Sequence, residues 1–162
     1  MRFKVLAVVT SAFALVACGG GETKAEDTAA AVAAPAEGAA PAVGGVAAMP
    51  ITGTTHTVNM IGDEKGYRYE PAEITVKAGD GINFVNVKGG PHNVAFDAAA
   101  VGAAGAQLAA NMPESSGELA GKMLVTDGEA WTMSFGGVAP GSYTAICTPH
   151  QAMNMMMKIT VQ

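Results

Sequence analysis

Four side chains able to hold a soft or borderline metal sit in two short segments. Cys147-Thr-Pro-His150-Gln-Ala-Met-Asn-Met155 brings a thiol, an imidazole and a thioether within nine residues, and Gly-Gly-Pro-His92-Asn-Val adds a second imidazole upstream. One Cys, two His and one Met make the ligand set of a mononuclear electron-transfer copper site. Copper(II) favours tetragonal geometry, whereas copper(I) accepts few, soft ligands. A nitrogen-nitrogen-sulfur plane with a weak axial sulfur suits both, so little has to move when one electron passes.

These residues carry a resemblance. Cys147-Thr-Pro-His150 with Met155 five positions on is similar to the ligand loop of blue copper proteins (cupredoxins) of the plastocyanin and pseudoazurin type. Pro91-His92-Asn93-Val94-Ala95-Phe96-Asp97 resembles the stretch that holds the first His ligand there. The likeness continues through Gly128-Glu129-Ala130-Trp131, Pro140-Gly141-Ser142-Tyr143 and the terminal Met-Lys-Ile-Thr-Val-Gln, so it spans residues 54 to 162. It implies one copper held by His92, Cys147, His150 and, axially, Met155, with Met153 the fallback. It also implies that the Asn93 N–H donates to the Cys147 sulfur while the Asn93 side chain bridges toward Thr148. Pro149 would stiffen the loop and remove a competing donor. Electrons would pass through the edge of His150, set in an apolar docking patch of Gly90, Pro91, Pro149, Ala152 and Met153, with Tyr67 contributing.

Strands must position these loops. Ile74, Val76 and Ala78 alternate with Thr75 and Lys77, and Trp131, Met133 and Phe135 share a face. Tyr143, Ala145 and Cys147 alternate into the ligand loop, and Met155, Met157, Ile159 and Val161 share one face of the last strand. Period-2 patterning with Gly and Pro punctuation predicts an all-β antiparallel sandwich. The resemblance makes it an eight-stranded Greek key. The Ala- and Gly-rich stretch 98–122 breaks the alternation and reads as a crossover with one short helix over 104–111. His56 has no partner motif and reads as an ordinary surface His.

The upstream residues have a different character. Met1 to Ala17 carries Arg2 and Lys4 before an apolar run from Val5 to Val16, too short to span a bilayer and read as a secretory signal. Leu15-Val16-Ala17-Cys18 resembles a bacterial lipobox, which implies lipidation of Cys18 and stable anchoring by several acyl chains. Residues 19 to 53 hold 12 Ala, 7 Gly and 3 Pro among 35 residues, too little apolar bulk to offset ordering entropy, and read as a tether. The domain organisation expected is therefore a signal peptide (1–17), a lipidated Cys with its tether (18–53), and a cupredoxin domain (54–162). Cys147 then has no disulfide partner, and a metal would occupy its thiol.

The domain carries ten acidic and six basic side chains, and that balance, with no basic stripe, argues against nucleic acid. Four protein ligands leave no open coordination position, so no enzymatic activity is expected. The function expected is electron transfer by a monomer, membrane-tethered and extracytoplasmic. Its donor and acceptor would be redox proteins of cytochrome or oxidase type that dock transiently near His150. Ile146 stands where plant plastocyanins carry a Tyr, and no dense acidic run is present, so a photosynthetic cytochrome partner does not follow. The alternative is a copper(I) carrier, prompted by Met153, Met155, Met156 and Met157.

Overall fold

A computed structural model describes residues 45–162; the signal segment, Cys18 and most of the tether lie outside the described residues. The alternating segments form β1 (Thr55–Asp63), β2 (Gly66–Glu70), β3 (Glu73–Val76), β4 (Gly81–Lys88), β5 (Ala95–Phe96), β6 (Ala130–Ser134), β7 (Gly141–Ile146) and β8 (Met156–Val161). They pair into two four-stranded sheets, ordered β2-β1-β4-β6 and β3-β8-β7-β5. The inward faces bury Ile82 and Phe84 of β4, Trp131 and Met133 of β6, and Met157, Ile159 and Val161 of β8. Each such side chain, fully buried, contributes about 1.5–3 kcal/mol. The sandwich is the expected one.

It is not wholly antiparallel. β1 pairs with β4, and β3 with β8, in parallel. Side chains alternate with period 2 in either direction, so the pattern predicts burial and leaves relative direction to the crossovers.

The 98–122 crossover holds more helix than expected. Helix α1 (Ala98–Val101) precedes a 3₁₀ turn at Gly102–Ala104 and then α2 (Gly105–Ala110). The Asp97 side chain caps α1 by accepting the Ala99 N–H at 2.9 Å, a start signal legible in Asp-Ala-Ala-Ala. Val101, Leu108 and Leu119 are buried, so the crossover closes part of the core.

Residues 47–53, assigned to the tether by composition, hydrogen-bond to the sandwich. Asn111 Oδ1 accepts the Met49 N–H at 2.9 Å, and Gln107 Nε2 donates to the Ala47 carbonyl at 3.1 Å. The Thr52 and Gly53 N–H groups both donate to the Gly79 carbonyl at 2.9 Å. A Cβ on Gly136 would come within 2.8 Å of Met49 Cβ, so the missing side chain there makes room for this strap. It meets the sandwich at the β3–β4 and β6–β7 turns. The loops after β4 and β7 lie at the other pole, about 25 Å away along eight residues of strand.

Candidate metal centre

The two ligand loops meet because β5 and β7 pair, with Ala95 opposite Ile146. His92 therefore comes beside Cys147 across 55 residues of chain. Cys147 Sγ lies 3.7 Å from His92 Nδ1 and 3.4 Å from His150 Nδ1, and the two Nδ1 atoms are 3.2 Å apart. All three side chains are buried, and their ligand atoms lie within 4.8 Å of one another. Bonds of about 2.0–2.1 Å to nitrogen and 2.3 Å to sulfur put the edges of a trigonal plane at about 3.5 and 3.8 Å. The observed triangle is close to that size, so one metal ion fits it.

Local structure holds each ligand. The His92 N–H donates to the Leu124 carbonyl at 2.9 Å, and the Leu124 N–H returns to the His92 carbonyl at 2.8 Å. His92 Nε2 sits 3.2 Å from the Lys88 carbonyl, which can only accept, so Nε2 carries the proton and Nδ1 offers a lone pair. Cys147 opens a 3₁₀ turn over Thr148–Met153, with Pro149 in its first positions. The His150 N–H donates to the Cys147 carbonyl at 3.0 Å, and Asn154, at φ 61°, ends the turn in the left-handed region. Across the neck of the loop the Cys147 N–H donates to the Met155 carbonyl at 3.0 Å. The Met155 side chain is wholly buried, whereas Met153 and Met156 are exposed.

The surroundings set the protonation of the ligands. Burial, and then the charge that His92 would carry, pushes the His150 imidazole below its usual range, so its neutral, ligating form is favoured. Burial also lowers His92, against smaller opposing effects of the Lys88 carbonyl and Asp127. Burial raises the Cys147 thiol, while backbone hydrogen bonds from Asn93 and His150 pull it back down. A cation at this point supplies the charge that keeps the thiolate.

Asn93 joins the two loops. Its Oδ1 accepts the Thr148 N–H at 2.8 Å, and its Nδ2 donates to Thr148 Oγ1 at 3.2 Å. Of the residues expected near His150, Tyr67 stacks its ring on the imidazole. Pro91 and Ala152 are exposed and Gly90 half-buried. His56 takes no part, since its Nε2 lies 3.0 Å from Asp80 Oδ2, on the carboxylate beside the strap. Cys18 lies outside the described residues.

Sequence reasoning passed over three supports. Asn86, fully buried, donates to the Leu124 and Thr126 carbonyls at 3.3 and 3.1 Å, which holds the segment that grips His92. The Lys88 carbonyl sets the His92 tautomer. Tyr69 donates to the Asn93 carbonyl at 2.6 Å. An Asn inside the apolar alternation of β4 was a usable signal for the first; the others left none in the sequence.

An all-β sandwich with a buried His-Cys-His triangle where two loops converge is a copper-binding protein of the electron-carrier type. Comparison with known families agrees. Residues 56–162 match the family described as copper binding proteins, plastocyanin/azurin family, and the chain belongs to it. It is 39% identical over 104 residues to the plastocyanin of Nostoc punctiforme, covering 63% of this chain and 70% of that one. It is 37% identical to the plastocyanin of Synechococcus sp. (strain JA-2-3B'a(2-13)), covering 74% of this chain and 85% of that one. The plastocyanin of Ulva prolifera is 37% identical, with 65% of this chain and 97% of that one covered.

Proposed function

We propose that the protein is a blue copper electron carrier, tethered through Cys18 to a bacterial membrane on its extracytoplasmic side. The observation that carries the reading is the buried triangle of His92, Cys147 and His150, whose edges of 3.2–3.7 Å suit one ion. Bound copper would supply a one-electron couple between Cu(I) and Cu(II). The chain's part is to keep the ligands in one place through both states, and the Asn93–Thr148 bridge and the Leu124 pairing restrain the two loops that must not move. Met155, buried in the ligand loop five residues after His150, would supply the fourth ligand in this reading.

Electrons enter and leave at the His150 end, where Tyr67, Pro91, Ala152 and the exposed Met153 meet transient redox partners. Contacts of that kind are small and quickly released. The strap at residues 47–53 joins the sandwich at the pole opposite the ligand loops. Anchoring from that pole would leave the ligand loops free to meet partners.

The test is a visible spectrum and cyclic voltammogram of the chain from residue 45 onward, loaded with one copper. An intense thiolate-to-copper band, bleached by ascorbate and absent in Cys147→Ser, is the expected result. A colourless copper(II) complex would overturn the reading. Rapid loss of copper(I) to a moderate chelator, with no reversible wave, would favour a copper carrier instead.

A further inference from the structure

A Phe at position 69 would fill the core as a Tyr does. Tyr69 is 1% exposed, its ring set edge-on to Phe84 at 6.3 Å, and its hydroxyl has been taken out of water. Burying a hydroxyl is unfavourable unless it finds a partner. Here the partner is the Asn93 carbonyl, 2.6 Å away. Burial, and then proximity to Cys147, raises the hydroxyl well above the ordinary phenol range, so it remains a donor at every physiological pH.

Asn93 is the residue through which the two ligand loops communicate. Its side chain holds Thr148 by two hydrogen bonds, its N–H approaches the Cys147 sulfur, and its carbonyl accepts from Tyr69. Three of its four polar groups thus bind the ligand loop, and the fourth is held from β2 in the opposite sheet. The first three set where Asn93 sits relative to Cys147; the fourth is the bond that Asn93 itself accepts from the opposite sheet.

We propose that Tyr69 is a positioning residue for the metal centre: by fixing the Asn93 carbonyl it sets the approach of the Asn93 N–H to the Cys147 sulfur, and so tunes the reduction potential. The potential half of this inference rests on the copper reading above. Donation to the sulfur withdraws electron density and disfavours Cu(II). Loosening it therefore favours Cu(II) and lowers the potential.

Tyr69→Phe removes one oxygen and leaves the ring. In the copper-free full chain, amide hydrogen exchange at Asn93 and Thr148 should quicken in Tyr69→Phe relative to the strands. In the copper-loaded chain the ratio of Cu(II) to Cu(I) affinity should rise about threefold, a fall of about 28 mV at 59 mV per tenfold. Ile82→Val, a core change at the far end of β4, is the control; it should lower the melting temperature and leave the potential alone. Unchanged exchange at Asn93, an unchanged potential in Tyr69→Phe, or an equal shift in Ile82→Val would each overturn the proposal. The exchange experiment needs no copper, so failure of the copper reading would show in the wild-type spectrum and leave that arm decisive.

Discussion

The ring of Tyr67 lies flat on the ring of His150, with centroids 3.7 Å apart and planes 16° from parallel. Its centroid also lies 6.1 Å from that of His92, with the planes at 70°. His150 is only 6% exposed, so little of the imidazole reaches the surface. Two glycines permit the stack. A Cβ on Gly62, which pairs with Tyr67 across β1 and β2, would come within 2.6 Å of the Tyr67 ring. Gly89, at φ 79°, closes against the Gly62 backbone with no room for a side chain.

Loss of this stack should be measurable without metal. Tyr67→Leu is expected to lower the stability of the copper-free protein by about 0.5–1.5 kcal/mol beyond the loss of buried area. Tyr67→Phe should keep nearly all of it. Gly62→Ala should mimic Tyr67→Leu by displacing the ring, and urea unfolding of the three variants ranks them.

The bridge between the ligand loops should be unequal in its halves. Asn93→Ala orphans the Thr148 N–H, bonded at 2.8 Å, and should cost about 1–3 kcal/mol. Thr148→Val removes only the longer bond, at 3.2 Å, and should cost about 0.5–1.5 kcal/mol. The double variant should cost less than the sum, because the two changes share one contact.

The strap should matter to stability. Asn111 uses its whole amide there, accepting from Met49 and Gln107 and donating to the Ser134 and Gly136 carbonyls at 3.0 and 2.8 Å. Asn111→Leu leaves buried carbonyls without donors and should cost at least about 2 kcal/mol. A chain starting at residue 45 should melt above one starting at residue 54, by scanning calorimetry.

Acid should weaken the pole that carries the strap. The Lys77 N–H, then His56 and the Thr54 N–H, hold the Asp80 carboxyl down from 3.8 to about 2. A carboxyl lowered by folding contributes stability that is fully present above pH 3.8 and lost as pH falls toward 2. Asp63, lowered to about 2 chiefly by its hydrogen bond from Arg68, titrates in the same window. Unfolding measured from pH 5 to pH 2 should therefore show stability falling mainly below pH 4. In Asp80→Asn that slope should be shallower, with Asp63 and Glu129, whose carboxyl is lowered by the Thr126 and Val125 N–H groups, supplying what remains.

The sequence by itself determined the ligand types, their order, and the burial of each strand. Those properties live in neighbouring residues: a thiol three places before an imidazole, or apolar side chains at every second position. They gave His92, Cys147 and His150 before any fold was known, and the inward faces of β4, β6 and β8. Tertiary structure alone decided what depends on residues distant along the chain. It closed a triangle of ligand atoms across 55 residues, laid Tyr67 on His150 from another sheet, and ran two strand pairs parallel. It also drew a stretch of tether-like composition onto the domain, because a backbone N–H needs only an aligned carbonyl and space, which Gly79 and Gly136 provide. Alternation records which side of a strand meets the core; it holds no record of which distant strand lies beside it, and this site is made of such neighbours.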